Sequence, residues 1–374
     1  MRLTIDKEQF LKALNYAGHA IAPKNPYAML ANFKLTLSEK GLEVLGSNSE
    51  ITIRSIVPYM VREREVIRQG IPGSILINAR VLGEAVRKME GEELSLDVID
   101  NAIAKVDDGR STFRLNCANA EEYPDIDLEP DGASFDMPCS TLVRLVEQSA
   151  FAASTKEQRP ILTALNLEAS DGTLTATATD SARLARKTVS IESEVKFRVN
   201  VPSRVMLDIS KLLEGADNVE ITVSEKKGVL FRFGSTVVST RIIPGDYPQT
   251  RSIIPQTFNY VLDVNARELL NAMDRVSILS SDKESVVRLS MTEDHVELTV
   301  RSDANGSAVE ALQTFQFTGE RLDVSFNSAF VIDAVKALKS EDVSVCFLAE
   351  MKPFVVKNKK DDSVVELITP MRTY

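Results

Sequence analysis

One pattern occurs three times along the 374 residues, and a chain built that way is a tandem array before it is anything else. A helical stretch at 79–89 recurs at 203–213 and at 328–338. Each copy is followed by a short acidic turn and an alternating strand, at 94–98, 219–223 and 343–347. Val81, Val205 and Phe330 stand 124 and 125 positions apart, so the repeat fills the whole chain. The first half of each copy recurs as well. Helical stretches at 7–21, 140–151 and 265–279 precede strand pairs at 33–37 with 42–45, 165–169 with 174–179, and 287–291 with 296–300. Asp171-Gly172 between two alternating runs is a hairpin signal. Tyr123-Pro124 and Tyr247-Pro248 close the first two copies at matching offsets, where proline, lacking a ladder donor, ends a strand. The stretches 128–135 and 251–258 read as linkers. The expected fold is α+β, with antiparallel sheets and three tandem domains over 1–128, 129–252 and 253–374. Each domain is helix, strands, helix, strands, and so nearly twofold within itself.

The helices are amphipathic at a helical period. Val205, Met206, Ile209, Leu212 and Leu213 oppose Arg204, Asp208 and Lys211; Val81, Leu82, Ala85, Val86 and Met89 oppose Arg80, Glu84, Arg87 and Lys88. In the third copy Phe330, Val331, Ala334, Val335 and Leu338 oppose Asp333, Lys336 and Lys339. The other three helices carry Lys12, Arg144, and Arg267 with Arg275 at polar positions. A solvated face explains any one of these cations. Six helices that all offer a cation or two, in a chain of net charge −10, also fit the lining of one hole. Contacts so sparse, mixed with carboxylates, would hold phosphates weakly and read no bases. The acidic total argues against tight nucleic-acid binding but leaves topological encirclement open.

No catalytic constellation emerges. The two histidines, His19 and His295, lie in different copies with no nucleophile motif beside them. No phosphate-cradling glycine loop or zinc-protease helix is present. The run Glu121, Glu122, Asp125, Asp127, Glu129, Asp131 has no ligand-loop spacing and reads as a solvated linker, while Asp180 reads as a turn or cap carboxylate. Neither a metal nor a cofactor is expected. With no Trp and 6% aromatic residues, single-strand stacking is poorly supported. Cys117, Cys139 and Cys346 are odd in number and widely spaced, which suits reduced, buried thiols in a cytosolic protein. No apolar run reaches the roughly 18 residues of a membrane span, and Arg2 interrupts the first apolar stretch, unlike a secretion signal.

Together the threefold repeat, Gly46-Ser47-Asn48-Ser49-Glu50-Ile51, Ala178-Thr179-Asp180-Ser181-Ala182-Arg183-Leu184-Ala185, Phe326-Asn327 and Pro370-Met371-Arg372 resemble the bacterial beta sliding clamp family over the entire chain. The family is the processivity subunit of the replicative polymerase. The resemblance implies a head-to-tail homodimer that closes into a six-domain ring on duplex DNA, loaded by an ATP-driven partner. It implies an interface in which Phe113 and Leu115 meet Ile278 and Leu279 of a second copy. It also implies a cleft for short extended segments of polymerases, the clamp loader and repair proteins. The matching positions are Leu162, Thr179, Arg183, Leu184, Pro248, Ile253, Asn327, Phe330, Met351, Pro353, Ile368, Pro370, Met371 and Arg372. Leu162, Leu184, Ile253 and Ile368 are expected to form its floor, Met351 and Met371 to adapt to several partners, and Arg183 to bond partner carbonyls. Read without the resemblance, Leu162, Leu184 and Ile368 are core strand residues. Polar residues at 184 and 371 are expected to abolish peptide binding and leave the ring intact. Lys24 and Lys156 match rim contacts to DNA, joining Arg80, Arg204 and Lys211 on the helix faces. The chain departs from the family at Ala182, where a histidine is common, and at Glu284, where a relative has an aromatic residue. Two rival readings are an enzyme with a metal site in the acidic linker and a repeat scaffold that binds proteins but never DNA.

Overall fold

The computed structural model describes residues 1–22, 27–279, 286–302 and 304–372, and counts of elements are of those residues. Six α-helices are α1 (Lys7–Gly18), α2 (Ala79–Lys88), α3 (Cys139–Glu147), α4 (Ser203–Leu212), α5 (Ala266–Ser277) and α6 (Ser328–Leu338). Each follows directly on a strand. At four of the junctions the last strand residue is an Asp or Asn that caps the helix: Asp6 Oδ1 accepts from Gln9 N, Asn78 from Val81 N, Asn265 from Arg267 N, and Asn327 from Ala329 N, at 2.9–3.1 Å. Such a cap occupies an amide that the first helical turn leaves without a partner, and fixes where strand turns into helix.

The residues divide into two compact units, 1–140 with 211–242, and 141–210 with 243–374. The first holds a thirteen-stranded sheet, antiparallel throughout. It runs Ala133–Pro138, Asn218–Ser224, Gly228–Phe233, Thr236–Thr240, Ile51–Val57, Gly41–Ser47, Asn32–Ser38, Gly73–Asn78, Thr112–Asn119, Ile103–Asp107, Glu93–Ile99, Arg2–Asp6, Ile67–Ile71. Helices α1 and α2 lie on it over a core that includes Phe10, Leu14, Phe33, Leu82 and Val86. The second unit holds a nine-stranded and a four-stranded sheet, with α5 and α6 packed over Leu262, Leu289, Phe326, Phe347 and Phe354.

Consecutive repeats are joined by strand pairing. Thr236–Thr240 of the second repeat pairs with Ile51–Val57 of the first, with Val238 opposite Ile53. Asp361–Ile368 of the third pairs with Arg183–Ser190 of the second, with Glu366 opposite Ala185. The two seams are equivalent in the repeat: each joins the third strand of one first half to the last strand of the next repeat's second half.

Some expectations need correction. Phe135 is not in a linker. It sits in the Ala133–Pro138 strand opposite Ile221, because Phe135 and Met137 alternate inward with polar neighbours. Tyr123-Pro124 follows a 3-10 turn at Ala120–Glu122 rather than ending a strand, and Tyr247-Pro248 lies on irregular chain. Cys117 is only half-buried. The carboxylates of the acidic run are exposed, as its reading as a solvated linker requires, and two of them form surface ion pairs: Lys227 Nζ reaches Asp127 Oδ2 at 2.8 Å and Asp131 Oδ2 at 3.4 Å.

The second seam buries a carboxyl group completely. Glu366 faces the helix side of its sheet, and its Oε1 has no hydrogen-bond partner among the described residues. Burial pushes its pKa well above the ordinary carboxylate value, and the nearby Arg183 opposes this only in part. The folded state therefore holds a proton that the unfolded chain releases above pH ~4.5, so this group costs stability progressively as pH rises past that value. Glu366→Gln, which stays neutral, raises the thermal midpoint by a few degrees at about pH 8 and changes it little at about pH 4, as calorimetry across that range will record.

Candidate functional site: partner cleft and open sheet edges

Several of the positions expected to line a cleft meet at the second seam. Thr179 and Leu184 are opposite each other across the hairpin of the second repeat, and Arg183 is opposite Ile368 across the seam. The turn between them is shaped by Asp180, whose Oδ1 accepts from the amides of Ala182 (2.9 Å) and Arg183 (3.0 Å), the turn role its sequence context suggested. Asn327 caps α6 and sets Phe330 in its first turn. The C-terminal segment is strapped alongside: Thr369 N donates to Ala182 O at 2.9 Å, and Met371 N to Ser325 O at 2.7 Å. Pro353 precedes Phe354, which is opposite Ile368. Leu162 lies in a 3-10 turn whose carbonyl accepts from Ser154 N.

Arg183 is the most heavily bonded side chain here. Its Nε donates to Asp180 Oδ2 at 3.0 Å, Nη1 to Asp333 Oδ2 at 2.6 Å and Nη2 to Phe151 O at 3.0 Å. The guanidinium lies 4.6 Å from the centre of the Phe330 ring and 5.5 Å from that of Phe151. The carbonyl it holds within the chain is that of Phe151. The fork therefore ties α6 to the second repeat, a planar bidentate task that lysine cannot perform.

Leu162, Leu184 and Ile368 are buried, as core strand residues are. Leu184 packs with Val355 and Leu367 under Ile254 and Phe258. A polar residue at 184 would therefore disrupt packing as well as any cleft. The exposed apolar surface is carried instead by Ile253, 48% exposed, Met351 and Met371, and Pro248 is exposed as well. Arg372 is exposed.

The other gathering is at sheet edges. Residues 112–116 of the Thr112–Asn119 strand pair with Ile103–Asp107 on one side only, and Gly306–Ala311 pairs only with Val296–Ser302, among the described residues. By repeat position these are the strands that form the internal seams elsewhere. Where paired, the equivalents are largely buried; here Phe113 is 36% exposed and Val309 62%. At the C-terminal end of α5, Ile278 is 77% exposed and Leu279 half-buried. Beside Phe113 a groove of about 590 Å3 is lined by Val81, Ala85 and Lys88 of α2. Val81, assigned to the buried face by its spacing, is exposed, because α2 presents it to this groove rather than to the core. Sequence reasoning missed Val309 and the roles of Asp333 and Phe151; aligning the third strand of each half-repeat would have found Val309.

Of the cations assigned to DNA, Arg80, Lys156, Arg204 and Lys211 are exposed, and Lys24 lies outside the described residues, as does Glu284. Arg80 also lines the groove beside Phe113. Arg275 is partly neutralised by Glu310 at 2.6 Å. His295 stands on its turn, exposed, 3.0 Å from Glu297.

Three family descriptions match in order: DNA polymerase III beta subunit, N-terminal domain, over 1–127; central domain, over 136–249; and C-terminal domain, over 251–372. The chain belongs to the DNA polymerase III beta subunit family. Its fold is three tandem clamp domains, and its role is that of a sliding clamp, the non-catalytic processivity subunit of the polymerase. It is 32% identical to the beta sliding clamp of Bacillus subtilis (strain 168) and 31% to that of Staphylococcus aureus (strain N315), covering all of each. Solved clamps from Bacillus subtilis and Streptococcus pneumoniae TIGR4 superpose with TM-scores of 0.95, at 32% identity over the full length of both chains.

In this clamp Arg183→Ala removes three charge-assisted bonds from a side chain that is 14% exposed. Chemical denaturation is expected to show a loss of about 2 kcal/mol, with Arg183→Lys recovering less than half of it.

Proposed function

We propose that two copies of this chain pair head to tail, close a ring around duplex DNA and slide along it. In that state they tether the polymerase catalytic subunit, the clamp loader and repair proteins through short peptide segments. The observation that carries this reading is the pair of open, apolar strand edges. Three repeats in a row have two internal seams and leave one strand of each kind without a partner. A second copy supplies both, and the heterologous contact closes after two subunits. The repeat also gives the register. Phe113 is equivalent to Val238 and Glu366, and Ala308 to Ile53 and Ala185, so Phe113 is opposite Ala308 of a second copy and Arg114 opposite Ser307. Val81, Phe113 and Leu115 then receive Ile278 and Leu279 in the groove along α2. Domains of 1–128, 129–252 and 253–374 suit this arrangement.

DNA is held by enclosure. Arg80, Arg204, Lys211, Lys24 and Lys156 offer scattered cations to phosphate, without reading bases. Partner segments lie in the cleft with apolar anchors against Ile253, Met351 and Met371 near the seam of Leu184 and Ile368; Leu162, Thr179, Pro248, Asn327, Phe330, Pro353, Pro370 and Arg372 frame it. Tethering raises a partner's effective concentration on DNA without chemistry. The ring opens through an ATP-driven loader, since this sequence has no phosphate-cradling loop. No helix among the described residues is long and apolar enough to cross a membrane, which accords with work on DNA in the cytoplasm.

Two experiments test these parts separately. In a Cys117→Ser background, Arg114→Cys with Ser307→Cys is expected to oxidise to a covalent circle of two chains, since opposed strand residues lie within disulfide reach at about 5.5 Å between Cα atoms. Ile278→Asp in the same chain is expected to reduce both the cross-link and the solution mass to that of one subunit. For the cleft, Ile253→Asp with Met371→Asp is expected to weaken binding of polymerase tail peptides by at least about tenfold, through lost apolar burial. The thermal midpoint and the mass by sedimentation are expected to stay unchanged, because both side chains are exposed.

A further inference from the structure

The outer face of the second repeat's sheet holds a small pocket with an excess of positive charge. Arg186, Arg198 and Arg251 line it, and Glu168 is the one carboxylate among its described lining residues. Sheet register brings them together: Glu168 is opposite Arg198 on one neighbouring strand and Thr175 on the other, and Thr177 is opposite Arg186. The loop carrying Tyr247 to Arg251 folds over this face. Arg186, half-buried, donates from Nη2 to Thr250 Oγ1 at 2.6 Å and from Nε to Thr177 Oγ1 at 3.4 Å. Arg198 Nη2 donates to Tyr247 O at 3.3 Å, and Arg251 Nη2 stands 3.5 Å from Glu168 Oε1. The acceptors are thus two hydroxyls, a carbonyl and one distant carboxylate. Burial lowers the pKa of Arg186, the charge of Arg251 pushes the same way, and Glu168 opposes them. The cluster is under-neutralised where solvent is partly excluded.

We propose that this pocket receives the carboxylate of an Asp or Glu that flanks the apolar anchors of a bound partner segment, so that the clamp reads charge as well as apolar shape. The inference rests on the cleft reading above and adds to it. The cavity measures about 20 Å3, room for one water-sized group, and so admits a carboxylate oxygen from its mouth. The arginine forks supply charge-assisted donors suited to that oxygen. The pocket adjoins the cleft. Pro248 lines it, Arg186 and Leu184 point to the same face of their strand, and Arg251 begins the 3-10 turn that ends in Ile253. An extended segment advances about 3.3 Å per residue, so an acidic residue within a few positions of an anchor reaches it.

The test uses the full-length protein and synthetic ten-residue peptides carrying a Leu-Phe anchor, with a single Asp scanned through the flanking positions and an Asn counterpart for each. Fluorescence anisotropy is expected to find one position where Asp binds at least about fivefold tighter than Asn, an advantage that shrinks with added salt. Arg198→Gln with Arg251→Gln, two exposed side chains, is expected to abolish that advantage while leaving the Asn peptide's affinity unchanged. Peptides that bind with no Asp preference at any position, or a preference that survives the double substitution, overturn the inference and leave the cleft reading standing. If no peptide binds at all, the cleft reading falls and this inference with it.

Discussion

Strand edges govern this molecule. An antiparallel sheet made of one half-repeat ends in backbone donors and acceptors that need partners, and an apolar edge left open invites pairing with whatever chain is near. The chain satisfies two such edges internally, at Thr236–Thr240 with Ile51–Val57 and at Asp361–Ile368 with Arg183–Ser190. The region proposed as the cleft depends on the second of these. The seam puts Arg183 opposite Ile368, brings α6 within reach of its guanidinium, and lays the C-terminal tail beside Ala182. The same logic applied to the two remaining edges leads to a second copy.

Charge is distributed to match a task of holding without gripping. A net charge of −10 keeps the chain from acting as a general polyanion binder, and exposed cations such as Arg80 and Arg204 are spread singly over different helices. Several basic side chains are committed to carboxylates of the chain itself, Lys227 to Asp127 and Arg275 to Glu310 among them. What remains for phosphate is sparse, which suits sliding. The cleft proposed above has the opposite character: it draws on the exposed apolar side chains of Ile253, Met351 and Met371, and Ile253 shares a 3-10 turn with Arg251 of the three-arginine pocket.

Much of this was legible in the sequence because the repeat reports three times. Alternation placed the hairpin strands within a residue or two, and helical periodicity placed all six helices, since caps such as Asn78 and Asn327 sit at equivalent junctions. What periodicity could not separate was a residue facing the core from one facing an interface. Val81 keeps the spacing of a core residue yet is exposed, whereas Leu184 and Ile368, core strand residues by their pattern, are buried. The internal bonding of Arg183 was also hidden, because Phe151 is distant in sequence within the same repeat and Asp333 reaches it from the next repeat. Phe135 falls in the stretch that reads as a linker, yet its strand starts at Ala133, directly after Gly132.

The central claim is that the two open edges pair between copies as the internal edges pair within one. Amide hydrogen exchange of residues 112–116 and Gly306–Ala311, followed as protein concentration is lowered through the dimer–monomer transition, tests it directly. The account predicts protection in both strands comparable to that of Ile51–Val57 while the dimer persists, lost from both together on dissociation. Fast exchange in either strand while the solution mass is still that of two chains would contradict it.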